Sequence, residues 1–185
     1  MFILLSMVTL AEEVDVYIKD FDAVYDELLA EGLTRPRMRL SSMVETSAIY
    51  HEIEQFSGRA GRHIALSGFL FGGNDFTSAT LNMSRADSVR NIIPAYAQGG
   101  LMRENPFITL HDVVARTIGK GIRRIRDTEG RTPIVIGFGG EQAADTVSIR
   151  RLQSFAYPKS LDFVATSPDR IPRILLANSN TGAAA

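Results

Sequence analysis

The sequence predicts an α/β fold built on a parallel sheet, or part of a (β/α) barrel. Three observations carry that expectation. Apolar strand-like runs alternate with stretches of helical periodicity about five times along the 185 residues. Several of those runs are nearly continuous rather than alternating, the pattern of strands buried on both faces. They also close on glycine-rich or acidic turns, which is where parallel α/β folds gather their functional groups. Five units are too few to close an eight-stranded barrel.

Each element has its own signal. Residues 1–10 are apolar but lack a basic flank, are too short to span a bilayer and run into Glu12 and Glu13, so they read as a buried strand. Val14, Ile18, Phe21, Tyr25 and Leu28 recur at helical spacing over residues 11–30, and Gly32 stands where a helix would stop. Residues 38–44 read as a strand and 46–56 as a helix. Residues 64–71 form an almost unbroken apolar run that ends on Gly72-Gly73, a buried strand closed by a tight turn. Val113, Val114, Ile118, Ile122 and Ile125 mark another helix, with Arg123, Arg124 and Arg126 near its C-terminal end, where cations suit the helix dipole. Residues 133–137 read as a strand, 142–155 as a helix, 161–166 as a strand and 171–176 as a last short helix. One domain over residues 1–178 and an unstructured tail over 179–185 complete the reading.

Composition narrows the function. The chain is 45% hydrophobic and 22% charged, with 20 basic and 21 acidic residues and no long run of either sign, so nothing advertises a nucleic-acid or membrane partner. The absence of cysteine excludes disulfides, thiolate zinc sites and a cysteine acid or nucleophile. A cytoplasmic location is the expectation. The histidines His51, His63 and His111 sit in no phosphocarrier motif and read as surface or helix residues. Arg35, Arg37 and Arg39 read as one exposed face of the approach to a strand.

Three strand ends are polar or glycine-rich: residues 42–46 (SMVET), 71–75 (FGGND) and 137–141 (GFGGE). Glu45 and Asp75 at two neighbouring ends form a pair of hard oxygen donors of the kind that holds Mg²⁺, and the glycines let backbone N–H groups approach an anion. By themselves these residues fit equally a helix-start glutamate, a loop aspartate capping Thr77 and a glycine turn. GFGGEQ also fails the dinucleotide fingerprint, because Gln142 stands where the third glycine is required.

The order and spacing of longer segments say more. MVET, then FGGNDFTSATLNMSRAD, IIPAYAQGGLMRENPFITL, IVIGFGGEQAAD and LDFVATSPDRIP, resembles the C-terminal phosphoenolpyruvate/pyruvate-binding barrel domain of the pyruvate phosphate dikinase family. The resemblance covers about residues 2–178 and is most specific over residues 72–85. It implies a partial TIM-type barrel comprising about the last five β/α units. It implies that Glu45 and Asp75 bind Mg²⁺ or Mn²⁺, and that Gly73 and Asn74 lie in the loop that contacts the substrate, a small pyruvate, enolate or phosphoenolpyruvate-like anion. Arg85, in the SRAD segment, faces an anion or starts a solvated helix. Glu141 keeps the family's acidic residue. Gly139 stands where the family has the cysteine that protonates the enolpyruvate carbon, Gln142 replaces a histidine or similar residue, and Gly73 replaces a threonine.

Glycine has no proton to give, so the dikinase reaction is not expected of this chain by itself. The nucleotide-binding and phosphohistidine domains, and the earlier strands with two phosphate-binding arginines, are expected to be missing. A divergent domain that binds a metal and a keto-acid is therefore the leading expectation, with metal-assisted transferase or lyase chemistry if it is an enzyme. The alternatives are a non-catalytic assembly protein and one half of a split enzyme. A sheet holding only part of a barrel predicts a homo-oligomer or a complementary barrel-half partner.

Overall fold

Helix and strand alternate in the computed structural model, which describes residues 2–34, 36–130, 133–172 and 174–175. Strand β1 (Phe2–Leu5) leads to helix α1 (Ala11–Ala30), β2 (Arg39–Val44), α2 (Ser47–His51), α3 (Ile53–Phe56) and β3 (Leu66–Gly72). A helical arm follows: α4 (Gly73–Leu81), α5 (Arg85–Asp87), a π-helical turn (Ser88–Ile92) and α6 (Ile93–Gln98). Then come α7 (Asp112–Asp127), β4 (Val135–Gly139), a 3₁₀ turn (Glu141–Ala144), α8 (Thr146–Ala156), β5 (Phe163–Ala165) and a 3₁₀ turn (Pro168–Arg170). Among the described residues no helix is long and apolar enough to cross a membrane.

The five strands pair in the order β1-β2-β3-β4-β5, all parallel. Sequential parallel pairing with helices packed on one face is the wall of a (β/α) barrel, as the sequence predicts. Register aligns the strands' carboxyl ends: Val44 lies beside Phe71, Gly72 beside Gly139, and Gly139 beside Ala165. That alignment sets three polar turns on one rim of the sheet.

Alternate residues of each strand pack under the helices. Leu40, Val44, Phe69, Phe71, Ile136 and Phe138 are buried with Val14 and Ile18 of α1, Val114, Ile118, Ile122 and Ile125 of α7, and Leu152 of α8. At about 1.5–3 kcal/mol for each fully buried large apolar side chain, this cluster dominates stability. Phe21 and Leu28 of the predicted α1 stripe are only partly buried, and Val113 of the α7 stripe is exposed, because each lies at the margin of its helix's buried face. Helices α7 and α8 cross at Gly119, where an added Cβ would lie 2.7 Å from the backbone carbon and oxygen of Phe155.

Several boundaries depart from the sequence reading. The buried strand read over residues 1–10 is only Phe2–Leu5, and as the edge of the sheet it leaves Phe2 and Leu4 exposed. The 46–56 helix breaks at Glu52 into α2 and α3, with Thr46 as a cap outside the first turn. The 142–155 helix is a 3₁₀ turn and then α8, because Asp145 caps α8 by accepting from the Ser148 N–H. The strand read at 133–137 runs from Val135 to Gly139. The loop read at Gly73 and Asn74 is the first turn of α4, and Asp75 is helical as well.

Only Ser88 and Ile93 are buried between residues 85 and 98, so the arm carries no apolar stripe for sequence periodicity to find. Its apolar residues Ile93, Met102 and Phe107 form a small cluster of their own, flanked by Leu81 and Met83. Residues 171–172 and 174–175 are helical. Arg35, Leu176 and the predicted tail lie outside the described residues.

The opposite end of the sheet is tied to α1 through Asp22. This buried carboxylate accepts from the backbone N–H of Arg62 (2.7 Å) and His63 (2.9 Å), while Asp26 pairs with the His63 ring at 2.8 Å and with Arg62. Burial pushes Asp22 up, but the two N–H donors and the nearby His63 and Arg62 outweigh it and hold the carboxyl below its ordinary value. A carboxyl lowered on folding contributes stability above its unfolded pKa, and that contribution vanishes as pH falls through the folded value. Asp22→Asn is therefore expected to lower Tm at neutral pH, with the gap to wild type closing in strongly acid solution. An equal gap at all pH values would show that the charge plays no part.

Candidate functional site

The rim of carboxyl-terminal strand ends is built around Glu45. Strand β2 delivers Glu45 into a buried position, 4% exposed, before Thr46 turns the chain into α2. The Met7 N–H donates to Glu45 Oε1 at 2.6 Å. Met7 itself has a left-handed backbone (φ 55°), a conformation that suits few side chains, and this turn of the β1–α1 loop carries the amide that reaches the carboxylate. The other oxygen, Oε2, lies 2.7 Å from where a Cβ on Gly72 would stand. Only glycine at position 72 leaves that oxygen its place.

Asp75, in the first turn of α4, faces the same region closely enough for its charge to act on Glu45. Burial pushes the Glu45 carboxyl above its ordinary value, the Met7 N–H partly counteracts this, and the negative charge of Asp75 raises it further. A buried carboxylate that feels the charge of the exposed Asp75 is an arrangement that a cation would relieve. Asn74, between them in the chain, has a buried Oδ1 without a hydrogen-bond partner. Among the described residues no third carboxylate or histidine joins the pair to form a larger ligand cluster.

Strand β4 supplies the facing wall. Gly140 adopts φ 120°, a conformation reserved in practice for glycine, and its N–H donates to the Ala165 carbonyl at 3.3 Å, tying the turn to β5. Gln142 is fully buried. Its Nε2 donates to the Pro106 carbonyl at 3.1 Å and lies 3.4 Å from the Gly73 carbonyl and 3.5 Å from Thr77 Oγ1, which pins the start of α4 to the β4 turn. A Cβ at Gly73 would stand 2.7 Å from Gln142 Oε1 and 2.8 Å from the Gly139 carbonyl. Only a glycine at position 73 fits these neighbours. At Gly139 a Cβ would meet nothing closer than Leu70 Cδ2 at 3.4 Å, an ordinary contact, so the position has room for a small side chain.

Between these walls lies a cleft of about 500 Å³, lined by Met43, Gly72, Asn74, Asp75, Gly139, Gly140, Glu141, Thr166, Ser167 and Arg170. The sequence-predicted residues Gly73, Asn74, Asp75, Glu45, Gly139 and Glu141 are thus brought together at one rim. Arg85 reaches the same place differently: its guanidinium forms an ion pair with Glu141, across 56 residues of sequence. Sequence reasoning missed the Met7 amide, the ion pair and Arg170, because each depends on a loop path that no residue pattern encodes. Another cavity, of about 320 Å³ between α8 and β5, has Asp145 on its wall, but that carboxylate is spent on capping α8.

The fold and the rim together define a parallel (β/α) barrel wall with its polar groups at the strands' carboxyl ends. The family model described as PEP-utilising enzyme, PEP-binding domain, matches residues 1–181, and the chain belongs to that family. It is 28% identical over 176 residues to the pyruvate, phosphate dikinase of Rhizobium meliloti, covering 95% of this chain and 18% of that protein. It is 30% identical over 154 residues to the enzyme of the same name from Rickettsia felis, covering 83% of this chain and 16% of the relative. The match to the Giardia intestinalis enzyme is 37% identical over 105 residues, 56% of this chain and 11% of the relative. The chain thus spans less than a fifth of the length of these relatives. Among solved structures, a citrate lyase from Burkholderia xenovorans superposes with a TM-score of 0.54 at 16% identity, covering 95% of this chain and 48% of that one, which is a likeness of fold.

Proposed function

We propose that this domain binds a divalent cation, Mg²⁺ or Mn²⁺, through Glu45 and Asp75, and beside it a small pyruvate-, enolate- or phosphoenolpyruvate-like anion at the start of α4. The observation that carries the reading is the buried Glu45 carboxylate, given one N–H donor and set against the charge of Asp75. The donor set fits the ion: Mg²⁺ takes one or two protein carboxylates and completes its shell with water and substrate oxygens. A cation so held supplies positive charge to a carbonyl or enolate oxygen.

The chain's own residues do the remaining work. Gly72 leaves space for the Glu45 oxygen, Asn74 offers its unpaired Oδ1 acceptor, and Gln142 holds the first turn of α4 in place. Gly139 and Gly140 let the ligand approach the backbone. No proton is available from position 139, so the dikinase reaction is not assigned to this chain by itself, and Glu141 is the acidic group left on this wall. The test is calorimetric. Mn²⁺ is titrated into the protein, followed by oxalate, an enolpyruvate mimic; the reading expects oxalate binding that is strengthened by Mn²⁺. Failure of both titrations would remove it.

A further inference from the structure

At the amino-terminal end of the sheet, away from the rim, a further cavity of about 290 Å³ opens beside α1. Phe2, Tyr25, Met38 and His63 form part of its wall, and so do two cations, Arg37 and Arg39. No carboxylate lines it among the described residues, whereas Asp75 and Glu141 line the rim cleft. Two guanidinium groups on the wall of one small cavity, with no acidic side chain beside them, are complementary to an anion.

Each part of this wall is anchored. The Tyr25 hydroxyl, on a side chain only 2% exposed, donates to the Pro36 carbonyl at 3.1 Å and so holds the segment that carries Arg37. Arg39 opens β2, where the parallel register sets it beside Phe2 of β1, and its guanidinium carbon lies 5.7 Å from the centre of the Phe2 ring, a cation–π distance. No ion pair engages Arg39 among the described residues. His63 is positioned from behind: Asp22 accepts from its backbone N–H, Asp26 takes its Nε2 at 2.8 Å, and its ring centre lies 5.7 Å from that of Tyr25. Asp26 pairs with Arg62 as well, so the carboxylate charge behind the wall is already matched.

The volume decides the class of ligand. At roughly 30 Å³ per water the cavity holds about ten waters, room for a phosphate and a few further atoms but not for a peptide or nucleic-acid strand. A phosphate offers oxygen edges to two guanidinium forks at once, while a carboxylate has a single edge and satisfies one. We infer that this cavity is a second binding site, remote from the rim, which takes a small phosphate group, free or carried on a small molecule, between Arg37 and Arg39. The arginines that read in sequence as one exposed face of the approach to a strand thereby acquire a ligand.

Wild type, Arg37→Met, Arg39→Met and Arg39→Lys are titrated with inorganic phosphate and, separately, with glycerol phosphate, following the backbone amide resonances by NMR at constant ionic strength. EDTA is present throughout, so the outcome is independent of the cation assigned to Glu45 and Asp75. Wild type should show saturable shifts at Met38, Arg39 and His63, with Gly72 and Gly140 unmoved. Arg37→Met and Arg39→Met should each weaken phosphate roughly tenfold, within the range for losing a charge-assisted hydrogen bond. Arg39→Lys should recover part of the loss, since it keeps the charge without the paired donors. Both arginines are exposed, so the variants should keep the wild-type dispersion of amide signals. Were Arg39→Met to lose it with the Phe2 contact, Arg37→Met, which lies outside any strand, decides alone. Tighter binding of glycerol phosphate than of phosphate assigns the site to a phosphorylated small molecule, and equal or weaker binding assigns it to the phosphate group itself. Shifts that do not saturate, shifts centred on Gly72 and Gly140, or wild-type affinity in both methionine variants would each overturn the inference.

Discussion

Replacing Glu45 by alanine is expected to weaken Mn²⁺ binding at least about a hundredfold, since groups outside a metal's own coordination sphere already cost ten- to a hundredfold when removed. Asp75→Asn should do the same with less disturbance of packing, because Asp75 is not buried in the core. The wild-type affinity should also depend on pH in a definite sense. Burial raises the Glu45 carboxyl, the Met7 N–H opposes the rise and the Asp75 charge reinforces it. A proton therefore competes with the cation, and affinity falls as pH is lowered through a range above that of ordinary carboxylates.

In the metal-free protein the same shift acts on stability. A carboxyl raised on folding binds its proton more tightly in the native state, so stability declines as pH climbs from the ordinary carboxylate value to the raised one. That is opposite in sign to the contribution of Asp22. Glu45→Gln, which keeps an acceptor for the Met7 N–H, should bind Mn²⁺ weakly at every pH and remove this dependence. Calorimetry at a series of pH values checks both points, and a Glu45→Ala protein with wild-type affinity would refute the assignment.

Gly119→Val is expected to be the most damaging single change in the helical layer. The new Cβ would sit 2.7 Å from the Phe155 backbone, which is no flexible side chain that could swing away. Helices α7 and α8 must separate, and the Arg123 hydrogen bond to the Phe155 carbonyl and the stacking of Arg116 on the Phe155 ring would be strained with them. Overpacking of this kind costs about 1–3 kcal/mol and sometimes more. Valine adds two methyl groups beyond Cβ, so about 3 kcal/mol is expected, a fall in Tm of roughly 6–12 °C for a chain of this length. Alanine at the same place would regain up to about 1 kcal/mol of helix propensity and so cost less. Gly130, with nothing within 4 Å of its Cβ position, is the control: Gly130→Ala should be close to neutral.

Much of the fold was legible because its signals are periodic. Helix α1 runs over residues 11–30 as its apolar spacing predicts, and the unbroken apolar run before Gly72 is a strand buried among neighbours on both sides. Beyond α4 the arm was not legible, since between residues 85 and 98 it buries only Ser88 and Ile93 and the π turn interrupts its spacing. The site divides the same way. Glu45, Asp75 and Gly139 stood out through the resemblance, and register sets the strand ends that precede or carry them side by side. The amide of Met7 and the engagement of Arg85 by Glu141 are products of tertiary path, and Arg170 drew no notice in a segment read only for its resemblance.

The small cluster of Ile93, Met102 and Phe107 gives the arm a cooperative unit of its own. Few apolar contacts hold it, so its amides are expected to exchange with solvent faster than those of the five-stranded sheet. Arg85 belongs to that arm and Glu141 to the sheet's rim, so each opening parts the ion pair between them. For that interval the cleft carries one more uncompensated negative charge. A change at either end of that pair is therefore expected to register in the exchange rates of the arm's amides.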